Sequence, residues 1–168
     1  MKRRQAITTA LGVVCSLLCL LGCQTLHPAA SHGHPHAELT VVPDHEKKIA
    51  RDARLTGPTK THGIAAVKTL VALSLGEEFS GLTGQQMRAR ELVIEPGAVV
   101  AVHRHEKRPG FALILEGEMV EHRNDQEGPI TRRVGDVAVE RTGVSHWWEN
   151  QSDKRARALV VDIVPTPR

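Results

Sequence analysis

Tyrosine is absent from this chain of 168 residues, and two phenylalanines and two tryptophans are its only large aromatic rings. One common general acid is thereby excluded, and a core has to be filled largely by aliphatic side chains. Cysteine is confined to Cys15, Cys19 and Cys23, so the chain beyond residue 23 has neither a disulfide nor a thiol nucleophile. No apolar run reaches membrane-spanning length. The longest, Ala6 to Leu21, has sixteen residues, short of the roughly 20 that a helical span needs. Nor is there a surplus of charge in the body of the chain. Three of the 22 basic residues (Lys2, Arg3, Arg4) stand at the start, which leaves 19 basic against 19 acidic residues, a balance that gives no argument for a nucleic-acid partner. No internal repeat is present.

The start is informative. A positive segment followed by a short apolar run has the layout of a secretory signal. It ends in Leu20-Leu21-Gly22-Cys23, which resembles a bacterial lipobox. That resemblance implies cleavage before Cys23 and its lipidation, and Gln24 after it resembles a signal for the outer membrane. The expected location is therefore periplasmic, anchored by lipid. An uncleaved anchor is the alternative, and both put the folded part outside the cytoplasm. Residues 23–63 carry Pro28, Pro35, Pro43 and Pro58 among Ala, Ser, Thr and His, a composition expected of a flexible, disordered tether. Asp44 to Leu55 is compatible with a short helix of marginal stability by itself. The histidines of this stretch fit a solvated linker or a loose metal-binding tract.

Residues 64–168 read as one domain. Val67–Leu75, Met87–Glu95, Ala98–His105, Phe111–Leu115, Glu118–Arg123, Ile130–Val134, Asp136–Glu140, Ser145–Glu149 and Ala156–Val164 are strand-like segments, separated by Gly, Pro and Asp turns. Many short strands without a helical period predict an all-β sandwich or barrel. Glu95-Pro96-Gly97 predicts a turn between two strands, and the continuously apolar Phe111–Leu115 predicts a strand covered on both faces.

Within Gly97–Gly117, His103 and His105 alternate on a strand, so their imidazoles share a face, roughly 6–7 Å apart. In Gly135–Asn150, His146 follows Gly143 on another strand. The two stretches resemble the paired motifs of the cupin superfamily. Gly97, His103, His105 and Gly117 match the first motif, and Gly135, Gly143, His146 and Asn150 match the second. Gly110 occupies the glutamate position and Arg141 the proline position. The resemblance covers roughly residues 67–164. It implies a single cupin barrel (a double-stranded β-helix, or jelly roll) that brings His103, His105 and His146 together as ligands of a divalent transition metal. Iron, manganese, nickel, copper and zinc all suit such ligands.

Three histidines leave positions open for a small-molecule ligand or substrate. The functions this admits are a small-molecule dioxygenase or related metalloenzyme and, alternatively, a non-catalytic module that binds a metal or small ligand. With Gly110 in place of the family carboxylate, the pattern is closer to the three-histidine dioxygenases of the superfamily, unless Glu106 or Glu118 reaches the ion. Trp148 shares the parity of His146 and either stacks on a ligand or fills the core, whereas Trp147 should face outward. His122 is a candidate proton shuttle if its parity points inward; otherwise Glu121, His122, Arg123 and Asp125 form an exposed charged hairpin. Arg88, Arg90, Arg104, Lys107 and Arg108 are expected as a solvated surface or a positive rim. The resemblance also implies pairing into a homodimer through sheet edges.

Overall fold

The computed structural model describes residues 41–51 and 55–167. The expected signal, Cys23 and most of the expected tether lie outside those residues. Among the described residues the fold is all-β apart from one short helix and a single 3-10 turn. The strands are β1 (His62–Ser74), β2 (Gln85–Arg104), β3 (Gly110–Glu116), β4 (Glu118–Arg123), β5 (Ile130–Arg133), β6 (Val137–Glu140), β7 (Ser145–Glu149) and β8 (Ala156–Pro165). Every described pairing is antiparallel, in the order β5-β4-β7-β2-β8-β3-β6, with β1 on β2. The sheet curls into a nearly closed barrel, the single cupin barrel that the motifs imply.

β2 organises the barrel. The turn expected at Glu95-Pro96-Gly97 does not end the strand; it bends one continuous strand of 20 residues. Gly97 takes φ +71°, a left-handed conformation that glycine adopts at little cost. The bend is pinned by the Gly97 amide donating to the Asn150 carbonyl and the Asn150 amide donating to the Ala98 carbonyl, both at 2.9 Å. Before the bend β2 pairs with β8, and after it with β7. A register shift between Val100 and His103 adds a bulge, a device that re-aims side chains beside functional sites.

The core is aliphatic, as the shortage of rings requires. Leu92, Ile94, Val100, Ile114, Met119 and Val160 cluster in the barrel interior with Trp148. β3 is covered on one face only: Ala112 and Ile114 are buried, while Phe111 and Leu115 are each 37% exposed. The continuous apolar run misled here, because two of its members face solvent.

A second correction concerns the tether. Residues 41–51 lie inside the stretch read as flexible, yet Asp44–Arg51 form helix α1 and Val42, Glu46 and Ala50 are fully or almost fully buried. Asp44 and Glu46 in its first turn suit the helix dipole, but eight residues do not make a stable helix alone. Tertiary contact supplies the difference. The Glu46 carboxylate accepts two hydrogen bonds from the Arg108 guanidinium, at 2.5 and 2.6 Å, and Val41 lines the barrel cavity. Proline-rich composition cannot reveal a lid whose stability comes from a partner 62 residues away.

Replacing Glu46 by Ala removes one of two anionic partners of a buried guanidinium. The expected loss is about 3 kcal/mol of unfolding free energy, read from urea denaturation. A loss below about 1 kcal/mol would show that this ion pair does not hold α1.

Candidate functional site

The β2–β7 register brings the three histidines together. His103 and His146 are Cα partners across the ladder, and His105 follows on the same face as His103. All three are buried, and one ring nitrogen from each lies within 4.8 Å of the others. The Nε2 atoms of His103 and His105 are each 3.0 Å from Nε2 of His146.

The outer nitrogens decide what those contacts are. Nδ1 of His103 lies 2.8 Å from the Ala101 carbonyl oxygen, and Nδ1 of His105 lies 3.2 Å from that of Arg108. Nδ1 of His146 lies 2.8 Å from a Glu121 carboxylate oxygen. Oxygens of these kinds only accept, so each Nδ1 carries the proton and donates. A neutral ring then has a bare lone pair at Nε2, and three lone pairs face one another. A proton would relieve that repulsion, but His103 and His105 resist protonation. Burial, reinforced by the charges of His146 and His105, holds His103 well below its ordinary value. Burial, with His146 and Arg108, pushes His105 down to about 2. Ligands at about 2.1 Å from one ion stand roughly 3.0–3.4 Å apart, so the 3.0 Å separations fit a shared metal ion.

Behind His146 lies a carboxylate that the sequence reading placed on an exposed hairpin. Glu121 is fully buried. It is gripped by Arg123 at 2.8 Å and by Arg132 at 2.8 and 3.0 Å, besides its bond to His146. Burial alone would raise its pKa, but the hydrogen bond and charge of His146 and the Arg123 guanidinium outweigh it and hold the group ionised. The arrangement orients a ligand ring and raises its basicity. A signal was present in the sequence: Met119, two residues earlier, is a core residue and shares the face of Glu121. By the same parity His122 faces away from the site. Its ring stacks on Trp147 with centroids 3.7 Å apart and pairs with Glu149 at 2.8 Å, which removes it as a proton shuttle at the histidine cluster. Trp148 does face inward, buried, with its ring edge-on to His146 at 5.6 Å.

The arginines also depart from expectation. Arg90 and Arg108 are buried rather than on a solvated rim. With Arg88 they converge on Asp162, which accepts bonds of 2.9 and 2.9 Å from Arg88, 3.1 Å from Arg90 and 2.8 Å from Arg108. Burial works to raise the Asp162 pKa, but its bond to Arg88 and the charges of the three guanidinium groups win, holding it below the usual carboxylate range. A lone aspartate inside the apolar strand β8 was the available sequence signal. One cavity is lined by Arg90, Arg108, His103, Glu140 and Trp148 over an aliphatic floor. The Nε of Arg90 is buried there without a hydrogen-bond partner.

Gly110 is Cα-paired with Glu140 on one side and Asp162 on the other. A Cβ at this position would stand 2.5 Å from the Val161 carbonyl oxygen, so the backbone leaves no room for a side chain where the motif has glutamate. Glu106 and Glu118, the alternatives weighed from sequence, pair instead with Arg104 at 3.6 Å and Arg133 at 3.4 Å. Arg141, at the motif's proline position, is exposed.

If Glu121 orients a metal-binding His146, Glu121→Gln weakens metal affinity by about 10- to 100-fold in chelator-competition titrations. An unchanged affinity would reduce Glu121 to a structural ion pair.

Comparison with known proteins places these residues in context. Residues 90–162, from within β2 to within β8, match the family model for the cupin domain. The oxalate-binding protein of Thermotoga maritima is 37% identical over 71 residues, which are 42% of this chain and 57% of that protein. The chain thus spans little more than half the length of this curated relative. Among solved structures, a sugar phosphate isomerase from a cupin superfamily of Silicibacter pomeroyi is 27% identical, covering 58% of this chain and 65% of that one, with a TM-score of 0.42. A predicted oxalate decarboxylase of Thermotoga maritima is 23% identical over 62% of this chain and 98% of that one, with a TM-score of 0.43. The stretch that matches the cupin-domain model contains all three clustered histidines and runs through the observed antiparallel barrel.

Proposed function

We propose that this chain is an exported, lipid-anchored cupin that binds a divalent transition metal through His103, His105 and His146 and presents it to a small organic acid in the barrel cavity. The observation that carries the metal is the convergence of three buried Nε2 atoms, those of His103 and His105 each 3.0 Å from that of His146. The acid rests on Arg90, which lines the same cavity as His103 and whose buried Nε has no hydrogen-bond partner among the described residues. The relative named as an oxalate-binding protein favours the same class of ligand.

A bound ion would supply Lewis acidity and, if redox-active, oxygenase chemistry. The chain's own residues bind and position. Arg90 offers an N–H to a carboxylate, the aliphatic walls exclude water, and Glu121 holds the His146 ring in orientation. A module that holds the acid without turnover is the second reading, favoured by the name of that relative. Oxygen uptake by the metal-loaded protein in the presence of bound acid separates the two.

Mass spectrometry of the leaderless protein is expected to find close to one metal ion per chain that is lost in the His103/His105/His146→Ala triple variant. The triple variant isolates the cluster from the histidines near the start of the chain. With metal bound, oxalate should change tryptophan fluorescence while its uncharged diamide should not, and Arg90→Gln should weaken oxalate binding by about tenfold or more. A folded protein without the histidine-dependent ion sinks the metal reading; equal response to acid and diamide sinks the ligand class. Export is tested separately: Cys23→Ser should release the protein from the membrane fraction, and retention there would exclude lipid on Cys23 as the anchor.

A further inference from the structure

Glu140 is a buried acid whose recorded charged neighbours stand beyond hydrogen-bond distance. The residue is 5% exposed, yet among the described residues its carboxylate makes no hydrogen bond and pairs with no arginine or lysine. Its nearest polar neighbours are two ring nitrogens: Oε2 stands 3.6 Å from Nε2 of His105, and Oε1 stands 3.8 Å from Nε2 of His146. Both distances are too long for hydrogen bonds, and in the neutral tautomer that donates from Nδ1 both nitrogens carry lone pairs. Acceptors therefore face acceptors. An ionised carboxylate at this position would be costly to bury without a partner, and two lone pairs opposite it would add repulsion. A cation between them removes both costs.

We propose that Glu140 is the fourth protein ligand of the ion, supplying from β6 the carboxylate that Gly110 cannot supply from β3. This deepens the metal reading above and rests on it. The two positions are direct partners across the β3–β6 ladder, so a change of strand moves the donor sideways by one ladder spacing, about 4.8 Å, within reach of a glutamate side chain. The 3.6 and 3.8 Å separations exceed the roughly 3.0–3.4 Å of ligands on one ion by a few tenths of an ångström. Glu140 lies outside the set whose single ligand atoms all fall within 4.8 Å of one another, so joining the ion requires its side chain to shift toward the imidazoles, starting from a terminal torsion that is soft for glutamate. The alternation of Val137-Ala138-Val139-Glu140 supports the role. Val137 and Val139 are exposed at 46% and 57% while Ala138 and Glu140 are buried, so the strand turns its apolar side chains outward and its acid inward. Three neutral imidazoles and one carboxylate also lower the charge of a divalent site to +1, whereas three imidazoles alone leave +2.

The test compares the leaderless wild-type protein with Glu140→Gln, which keeps the volume and removes the charge, and with Glu106→Gln as a control outside the site. Each is loaded with cobalt(II), titrated against a chelator and followed by its visible absorption. Glu140→Gln is expected to lose about a hundredfold or more in affinity and to show a changed ligand-field spectrum, while Glu106→Gln matches wild type. Wild-type affinity and spectrum in Glu140→Gln would overturn the assignment while leaving the three-histidine site standing. No histidine-dependent ion in the wild type would instead overturn the metal reading, and this proposal with it. Should Glu140→Gln fail to fold, a crystal structure of cobalt-loaded wild type decides: a carboxylate oxygen at about 2.0–2.2 Å from the ion upholds the role, and one beyond 3 Å refutes it.

Discussion

Each imidazole in the barrel mouth has its Nδ1 proton committed to an oxygen outside the cluster, so the three Nε2 lone pairs have no choice but to face one another. That single constraint accounts for most of what surrounds them. It requires a bulge in β2, so that His103 meets His146 across the ladder while His105 still faces inward. It requires carbonyl acceptors at Ala101 and Arg108 and a carboxylate at Glu121, because a ring free to flip would relieve the repulsion by turning a protonated nitrogen inward. Burial and the neighbouring charges also oppose an imidazolium at His103 and His105.

Charge burial follows a consistent pattern around this centre. Asp162 answers to three guanidinium groups and Glu121 to two and an imidazole. Both carboxylates stay ionised because the opposing charges are held rigidly at hydrogen-bond distance. A buried ion pair contributes little net stability compared with apolar packing, yet breaking one is expensive. Such networks therefore fix geometry more than they add free energy. In a barrel whose core is built of small aliphatic residues with a single inward tryptophan, they supply rigidity that aromatic packing would give elsewhere.

The strand order and the three histidines were legible because their signals are local: alternation, turn residues and the spacing of two short motifs. Inward-facing charges were far less legible. Glu121 and Arg90 sit in polar stretches that read as solvent-facing, and Glu140 ends a strand whose valines point outward, which inverts the usual pattern. The bend in β2 was taken for a break because proline and glycine mark both. The docking of helix α1 is a different kind of miss: a short helix is expected there, but its partner Arg108 is far away in the chain and nothing in residues 41–51 announces the contact. In each case the deciding term is a long-range ion pair or a strand pairing, neither of which leaves a periodic trace.

Arg108 belongs to two assemblies at once. Its carbonyl oxygen orients the His105 ring, and its guanidinium clasps Glu46 of α1 while reaching Asp162. Helix α1 and the His105 ring are thus both tied to one residue, the helix through its guanidinium and the ring through its carbonyl. Whatever displaces the helix must pull on the backbone that sets the ring, so cover and centre form one mechanical unit, and the energetic effects of disturbing them will not add.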